Sequence, residues 1–207
     1  MRNYGSKEES LDFVGAFEQG WIQYKSSFRR LIPFGAASSI PVLFFYMNIP
    51  AGILITILLQ GFFFLLLAEN VVTAGTLGER RTVYTKHLLW KYIKNGVVLT
   101  IFLLPLLLVG FILFIIPSVI LFSLFVFSFF IVVSKDKFAI DACMESLRDG
   151  FGYRLHLFLL SLIFYAAMII LYILSGFCSV CFVVLNALII PFFFCVAFEF
   201  YEQLEKK

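Results

Sequence analysis

One long uncharged stretch decides the fold: GVVLTIFLLPLLLVGFILFIIPSVILFSLFVFSFFIVV, at residues Gly96–Val133. A helix needs about 20 apolar residues to cross a bilayer, and this stretch is nearly twice that long. Gly110 and Pro117 supply the turn that divides it. The stretch therefore predicts two membrane helices that follow each other directly, at 96–116 and 117–134.

The rest of the chain contains two more pairs of apolar runs, divided near Asn48–Pro50 and near Ser175–Gly176. They predict four further spans, at 31–47, 51–68, 155–174 and 177–198. The predicted fold is all-α: a polytopic integral membrane protein with six transmembrane helices in three hairpins. Residues 1–207 form a single membrane domain in this interpretation. Four spans with re-entrant segments is the alternative, and the first run, which contains Pro33 and Pro41, is the least regular.

The composition identifies lipid as the solvent of most of the chain. Apolar residues make up 62% of the sequence and charged residues 14%, against about 45–50% and about 25% in soluble domains. The mean hydropathy is +1.00. The net charge of +3 comes from basic residues near span ends, where anionic headgroups lie. Membrane lipids are therefore the predicted partners, with another membrane protein as a further candidate. Nucleic acid is not expected, and the sequence does not specify an oligomeric state.

The distribution of positive charge predicts the orientation. All 16 Lys and Arg residues fall on one side of the six predicted spans. They occur before the first span, between the second and third, between the fourth and fifth, and after the sixth: Arg2, Lys7, Lys25, Arg29, Arg30; Arg80, Arg81, Lys86, Lys91, Lys94; Lys135, Lys137, Arg148, Arg154; Lys206, Lys207. The positive-inside rule then predicts a multi-pass protein of the plasma (inner) membrane with both termini cytoplasmic. Residues 1–30 are polar and amphipathic, and they do not resemble a signal peptide.

Each predicted hairpin follows an amphipathic leader segment on the charged side. In residues 1–30 an apolar stripe recurs at helical spacing: Phe13, Phe17, Trp21, Tyr24, Phe28 and Leu31. Residues 82–95 and the stripe Ile140, Cys143, Met144, Leu147 and Phe151 are the other two leaders. The expectation is that these helices lie in the headgroup layer. Their predicted anchors are Trp21, Phe28, Trp90, Tyr92, Tyr153 and Arg154. The alternative is that the leaders simply extend the spans.

The leaders and the central stretch also carry a family likeness. Ala16 with Gly20-Trp21 and Ala142 with Ser146-Leu147 lie at equal offsets, and between them a glycine-apolar run ends in Ile116-Pro117-Ser118. This layout resembles a bacterial group of six-helix inner-membrane proteins of obscure function. The group includes the YciC-like proteins and the membrane domain attached to some glycerophosphodiester phosphodiesterases. The resemblance implies the six-helix fold and transfers no catalytic residue.

Three polar residues in or near the spans are candidate contacts inside the membrane. Gln60 and Asn186 each lie in the middle of an apolar run, and Glu69 lies at the end of the second. The favoured interpretation is a Gln60–Asn186 hydrogen bond between helices, worth about 0.6 kcal/mol. A solute pathway is the alternative. Glu69 is expected to face interfacial water or to pair with an arginine such as Arg80.

No motif of an enzyme or of a metal site occurs in the sequence. Cys178 and Cys181 form a CxxC pair in apolar surroundings, which favours packing over redox chemistry. His87 and His156 have no ligand at metal spacing, so neither a metal nor another cofactor is predicted. The predicted function is non-enzymatic: an accessory or membrane-homeostasis protein acting through lateral contacts with lipid or other membrane proteins. The alternative is a small transporter or channel subunit lined by Gln60, Asn186, Thr56 and Thr100.

The predicted topology can be tested by cysteine labelling after the four native cysteines are replaced by alanine. A cysteine at position 48 or 176 should react with an impermeant thiol reagent added outside the cell. A cysteine at position 81 or 136 should react only after the membrane is opened. Labelling of position 81 from outside would contradict the six-span topology.

Overall fold

The computed structural model describes residues 12–47, 49–77, 86–113, 115–150, 154–175 and 179–206. Within these ranges the chain forms seven α-helices and no strand, which confirms the all-α prediction. In chain order the helices are α1 Phe13–Met47, α2 Ile49–Leu77, α3 Lys86–Leu113, α4 Ile115–Ser134, α5 Ala139–Gly150, α6 Arg154–Ser175 and α7 Ser179–Glu205.

Two of the described helices are long and apolar enough to cross a membrane, which is consistent with a membrane protein. Their apolar segments are Leu58–Gly75 of α2 and Val183–Glu205 of α7. A third crossing results if Ala139–Gly150 and Leu155–Ile170, which are bent by 112° relative to each other, count as one broken span. Both apolar segments overlap the predicted spans 51–68 and 177–198.

The long uncharged stretch is divided into two helices, as its length predicts. Helix α3 ends at Leu113 and α4 begins at Ile115, so the break comes slightly before the predicted boundary at Pro117. Pro117 instead occupies the first turn of α4. Proline is tolerated there because the first turn of a helix has no intrahelical partner for its backbone N–H groups. The two helices pack against each other.

The leader segments do not form three separate helices. Helix α1 runs without interruption for 35 residues, from the predicted leader 1–30 through the predicted span 31–47. The described part of the second leader is likewise continuous with the following span in α3. The aromatic stripe of α1 packs on α7, where the rings of Phe17 and Trp21 lie 6.3 and 5.7 Å from the ring of Phe192. Contact with protein has the same helical period as contact with lipid, so the spacing of the stripe is compatible with both.

Only the third leader is a helix of its own, α5. The side-chain amide oxygen of Asn95 in α3 accepts a hydrogen bond from the backbone N–H of Ala139 at 3.2 Å, which caps the start of α5. Asp136, in the connection from α4, has a positive φ of 56°. Its short polar side chain makes this left-handed conformation accessible. Cys143 is buried against the bundle, while Ile140 and Met144 from the same predicted stripe are exposed.

Helices α2 and α3 touch through two glycines. A Cβ atom added to Gly61 would collide with the carbonyl oxygen of Gly96, and one added to Gly96 would lie 2.7 Å from the carbonyl carbon of Gly61. The two backbones are therefore in direct contact, a geometry that only small residues allow. Thr100 lies beside this contact and donates its hydroxyl to the Gly96 carbonyl at 2.9 Å.

A second close approach joins α1 and α7. A Cβ atom on Gly35 would lie 2.8 Å from the carbonyl oxygen of Ala187. Pro191 lies four residues after Ala187 and has no N–H to donate to that carbonyl. The carbonyl faces Gly35 instead, and the absence of a side chain there lets the two helices approach. Among the pairings of helices, α1 with α7 is the most extensive.

Aromatic side chains fill the buried core. Phe127, Phe130 and Phe200 are its largest fully buried side chains. The ring of Phe130 lies 5.5 Å from Phe198 and 5.9 Å from Tyr201, so α4 and α7 meet through stacked and tilted rings. The outward face of α6 carries exposed apolar residues instead: Leu155, Leu159, Leu162, Ile163, Ile169, Ile170 and Ile173.

The glycine contact predicts a strong effect of a single methyl group. Gly61→Ala should lower the free energy of unfolding by about 1–3 kcal/mol, because the helices must move apart to accept the Cβ atom. Thermal unfolding of the detergent-solubilised protein measures this. Gly15→Ala is the control, because its added Cβ meets the flexible carboxylate of Asp12 and no backbone atom. That carboxylate accepts the Gly15 N–H at 2.8 Å, and loss of this cap, about 1 kcal/mol, is offset by the higher helix propensity of alanine. Equal melting temperatures for the two variants would contradict the backbone contact.

Candidate functional site

The polar contacts between helices gather at one end of the bundle. The backbone N–H of Asp12 donates to the side-chain oxygen of Gln203 at 3.1 Å, which joins the start of α1 to the end of α7. Lys135, after α4, forms an ion pair with Glu205 at the end of α7. We call this region the charged end. It comprises the starts of α1 and α3, the ends of α2, α4 and α7, and α5.

Glu145 on α5 is the centre of an ion-pair cluster at the charged end. It accepts hydrogen bonds from Lys135 at 2.9 Å and from Lys137, although its own side chain is only 9% exposed. Burial alone would raise the pKa of Glu145, but the two lysines outweigh it and hold that pKa below its usual range. Burial would likewise lower the pKa of Lys135, yet its hydrogen bonds to Glu205 and Glu145 raise it. This cluster ties α5 to the ends of α4 and α7.

Glu69 and Tyr92 join α2 to α3 beside this cluster. The hydroxyl of Tyr92 donates to the carboxylate of Glu69 at 2.5 Å. Tyr92 is only 2% exposed, so it is an interhelical contact and not the headgroup anchor that the sequence predicts. Arg80, the predicted partner of Glu69, lies outside the described residues. Burial lowers the pKa of Lys91 on α3, and the nearby Glu69 carboxylate offsets part of that effect.

The other predicted anchors have different environments. Trp21 and Phe28 are partly exposed at the charged half of α1, and Trp90 is 57% exposed at the start of α3. Lysines lie over both indole rings: Lys25 at 4.8 Å from Trp21 and Lys94 at 5.4 Å from Trp90. Tyr153, Cys178 and the side chains of Arg154 and Cys181 lie outside the described part of the chain.

An open groove of about 310 Å³ lies at the charged end between α3 and the connection from α4 to α5. Its lining is basic and aromatic: His87, Trp90, Lys91, Lys94, Asn95, Asp136, Lys137 and Phe138. Lys91 is paired with Asp136, and Lys137 with Glu145. Lys94 forms no ion pair within the described residues, and its ammonium group lies above the Trp90 ring. The groove therefore offers an anion the ammonium group of Lys94, which no described residue neutralises, beside exposed aromatic surface.

A second cavity, of about 170 Å³, lies inside the bundle and brings Gln60 and Asn186 together. Among the described residues neither amide oxygen has a hydrogen-bond partner, so the two side chains do not form the direct hydrogen bond that the sequence favours. Ser38 also lines this cavity, and its hydroxyl donates to the Gly35 carbonyl at 2.7 Å. The remaining lining is apolar and includes five phenylalanines: Phe64, Phe129, Phe164, Phe193 and Phe194.

Two more buried hydroxyls without a partner lie near these lining residues in the sequence. Thr56 precedes Gln60 by one helical turn on α2, and Ser161 precedes the cavity-lining Phe164 by three residues on α6. Thr56 is a predicted lining residue, whereas the sequence gives no indication of Ser161 or Ser38. A lone serine in an apolar run gives no signal of its own, because its side chain usually bonds to the backbone of its own helix. Thr100, another predicted lining residue, lies at the glycine contact instead.

Comparison of the chain with protein-family models, with curated proteins and with solved structures gives no match. Its function must therefore be argued from the geometry of its own sites. The groove and the cavity are two sites that the described residues provide.

The Glu145 cluster predicts a pH-dependent contribution to stability. Because folding lowers the pKa of Glu145, its stabilising effect is present above its unfolded-state pKa, about 4.3, and is lost as pH falls through the folded value. Glu145→Gln should lower the free energy of unfolding by about 1–2 kcal/mol at pH 7. The difference from the wild type should shrink below about pH 4.

Thermal unfolding between pH 3 and pH 7 checks this prediction. Asp149→Asn is the matched control, because its partner Arg148 is exposed and such pairs contribute little. A Glu145→Gln variant as stable as the wild type at pH 7 would show that the cluster is not stabilising.

Proposed function

We propose that the chain is a non-enzymatic integral membrane protein that acts through lateral contacts with lipid, using the groove at its charged end. The single observation that carries this proposal is the lining of that groove, where basic and aromatic side chains occur together. Anionic headgroups attract lysines at a membrane surface, and tryptophan favours the interface. A second membrane protein seated on the same end remains the other form of lateral contact.

The proposed topology has six spans with both termini and the charged end in the cytoplasm of a plasma (inner) membrane. The sorting of all 16 basic residues to one side supports it. The contacts that join the ends of α1, α4 and α7 support it as well, because they gather the polar side chains at one end of the bundle. The resemblance to the YciC-like group is part of the same proposal.

Helix α5 would lie in the headgroup layer in this arrangement. Its exposed side carries apolar residues that water alone does not favour: Ile140 is 51% exposed and Met144 is 62% exposed. Phe138, just before the helix, is also exposed and lines the groove. Acyl chains near these residues and a headgroup beside Lys94 would place one lipid along the groove.

A second candidate function is transport or conduction of a solute. The observation that favours it is the interior cavity, in which Gln60 and Asn186 lie together with unpartnered oxygens. Polar groups facing a cavity inside a membrane bundle are typical of solute pathways.

Lipid retention tests the leading proposal. Protein purified in mild detergent should retain anionic phospholipid, phosphatidylglycerol or cardiolipin, in native mass spectra. Lys94→Gln should reduce that retention about five-fold, which corresponds to about 1 kcal/mol for one lysine at a membrane surface. Retention of zwitterionic lipid should not change, because it carries no net charge to attract.

Lys206→Gln is the matched control for this experiment. Lys206 is also an exposed lysine on the same end, but it is paired with Glu202 and lies away from the groove lining. Equal retention of anionic lipid by the wild type and Lys94→Gln would contradict the proposed headgroup contact.

A further inference from the structure

We propose that Asp136 is an internal competitor for the anionic headgroup: by neutralising Lys91, it limits how strongly the groove at the charged end binds lipid. This inference rests on the proposed function and adds its regulation by one residue. The groove brings together residues from two parts of the chain. Lys91 and Lys94 lie on α3, and Asp136 lies on the connection from α4 to α5.

The two lysines of α3 are placed so that one phosphate group can contact both. They are three residues apart in the helix, so their Cβ atoms lie about 5–6 Å apart on the same face. The side chain of Lys91 is 24% exposed and Lys94 is exposed, so a headgroup can reach both. A phosphodiester has two unesterified oxygens, one for each ammonium group. Contact with both lysines requires that Lys91 give up Asp136.

The counter-ions of the two lysines differ. Lys91 is paired with Asp136, whereas Lys94 forms no ion pair within the described part of the chain. Burial lowers the pKa of Lys91, and the carboxylate of Glu69 offsets part of that effect. Glu69 accepts the Tyr92 hydroxyl and does not line the groove. Asp136 is therefore the carboxylate that an entering headgroup meets at Lys91, and like charges repel there.

The Asp136 ion pair is not needed to hold the connection in place. The backbone N–H of Ala139 bonds to Asn95, and Lys137 is paired with Glu145. The side chain of Asp136 is 84% exposed, and exposed pairs of this kind contribute little to stability. Its carboxylate can turn into water without leaving a buried charge behind. The pair is therefore easily broken, as an exchange with a headgroup phosphate requires.

Such an exchange makes the binding of lipid reversible. An entering phosphate gains Lys94 directly, but it gains Lys91 only in competition with Asp136. When the lipid leaves, the carboxylate of Asp136 returns to Lys91, so departure does not leave that partly buried ammonium group unpaired. The groove thus binds a headgroup with less than the full strength of its two neighbouring lysines.

Retention of phosphatidylglycerol by the full-length protein tests this inference, measured by native mass spectrometry in mild detergent. Asp136→Asn removes the charge and preserves the shape, and asparagine tolerates the positive φ of 56° at this position. We expect this variant to retain about two- to five-fold more phosphatidylglycerol than the wild type, the upper value being the effect of one lysine at a membrane surface. Retention of phosphatidylcholine, which has no net charge, should not change.

Two further variants locate the effect. The double variant Lys91→Gln/Asp136→Asn removes both charges of the pair, so its retention should return to that of the wild type. Asp149→Asn is the matched control, because Asp149 is also an acidic residue paired with a basic one, but it does not line the groove. It changes the net charge equally and should leave retention unchanged. Asp136→Gly replaces Asp136→Asn if that variant melts at a lower temperature, since glycine also adopts a positive φ.

The possible results separate this inference from the proposed function. Equal retention by the wild type and Asp136→Asn, with the loss in Lys94→Gln still present, would overturn the role of Asp136 and leave the proposed function standing. The same retention in all three proteins would contradict both. A gain in Asp149→Asn as large as in Asp136→Asn would assign the effect to net charge and overturn the inference. A gain that persists in the double variant would overturn it as well, because Lys91 would not be the residue released.

Discussion

The structure depends on a single constraint: the apolar runs leave the charged residues that the structure describes only one end of the bundle to occupy. Lipid does not solvate a charge or an unpaired backbone group, so polar side chains gather where helices meet water. At that end the polar side chains also form contacts between helices. The Glu145 cluster, the Tyr92–Glu69 hydrogen bond and the Asp12–Gln203 contact each join helices that are distant in sequence. The charged end therefore also determines how the helices are arranged.

Away from the charged end, the helices pack by shape. Apolar side chains gain little by leaving lipid for another helix, so close approach and van der Waals contact must hold the bundle. The Gly61–Gly96 contact brings two backbones together, and Gly35 fits against the carbonyl that Pro191 leaves free. Where no glycine allows two helices to approach this closely, phenylalanine side chains fill the space between them. A bundle packed this way has gaps where bulky rings do not meet, and the interior cavity is one of them.

Length and composition were enough to predict the helical class and the division of the stretch from 96 to 133. Both predictions follow from local properties of the sequence: the length of helix that a bilayer accepts and the presence of turn residues. The continuous helix α1 could not be predicted in this way, because its aromatic stripe has the same period whether it faces lipid or α7. The Gly61–Gly96 contact joins residues on different helices, and neither glycine alone signals its partner. Contacts of this kind depend on how each helix is rotated about its own axis. Hydrophobic periodicity does not determine that rotation in runs that are apolar on every side.

The cavity is the clearest case of information that arises only in three dimensions. Gln60 and Asn186 each stand alone in an apolar run, and a single amide on a helix is weak evidence for a pathway or a site. In the fold the two residues line one cavity, and neither amide oxygen has a hydrogen-bond partner among the described residues. A direct hydrogen bond between Gln60 and Asn186 would have given both residues a purely structural role. Because the bond is not made, the fold leaves two buried acceptors unsatisfied, at a cost of about 1–3 kcal/mol each if nothing occupies the space.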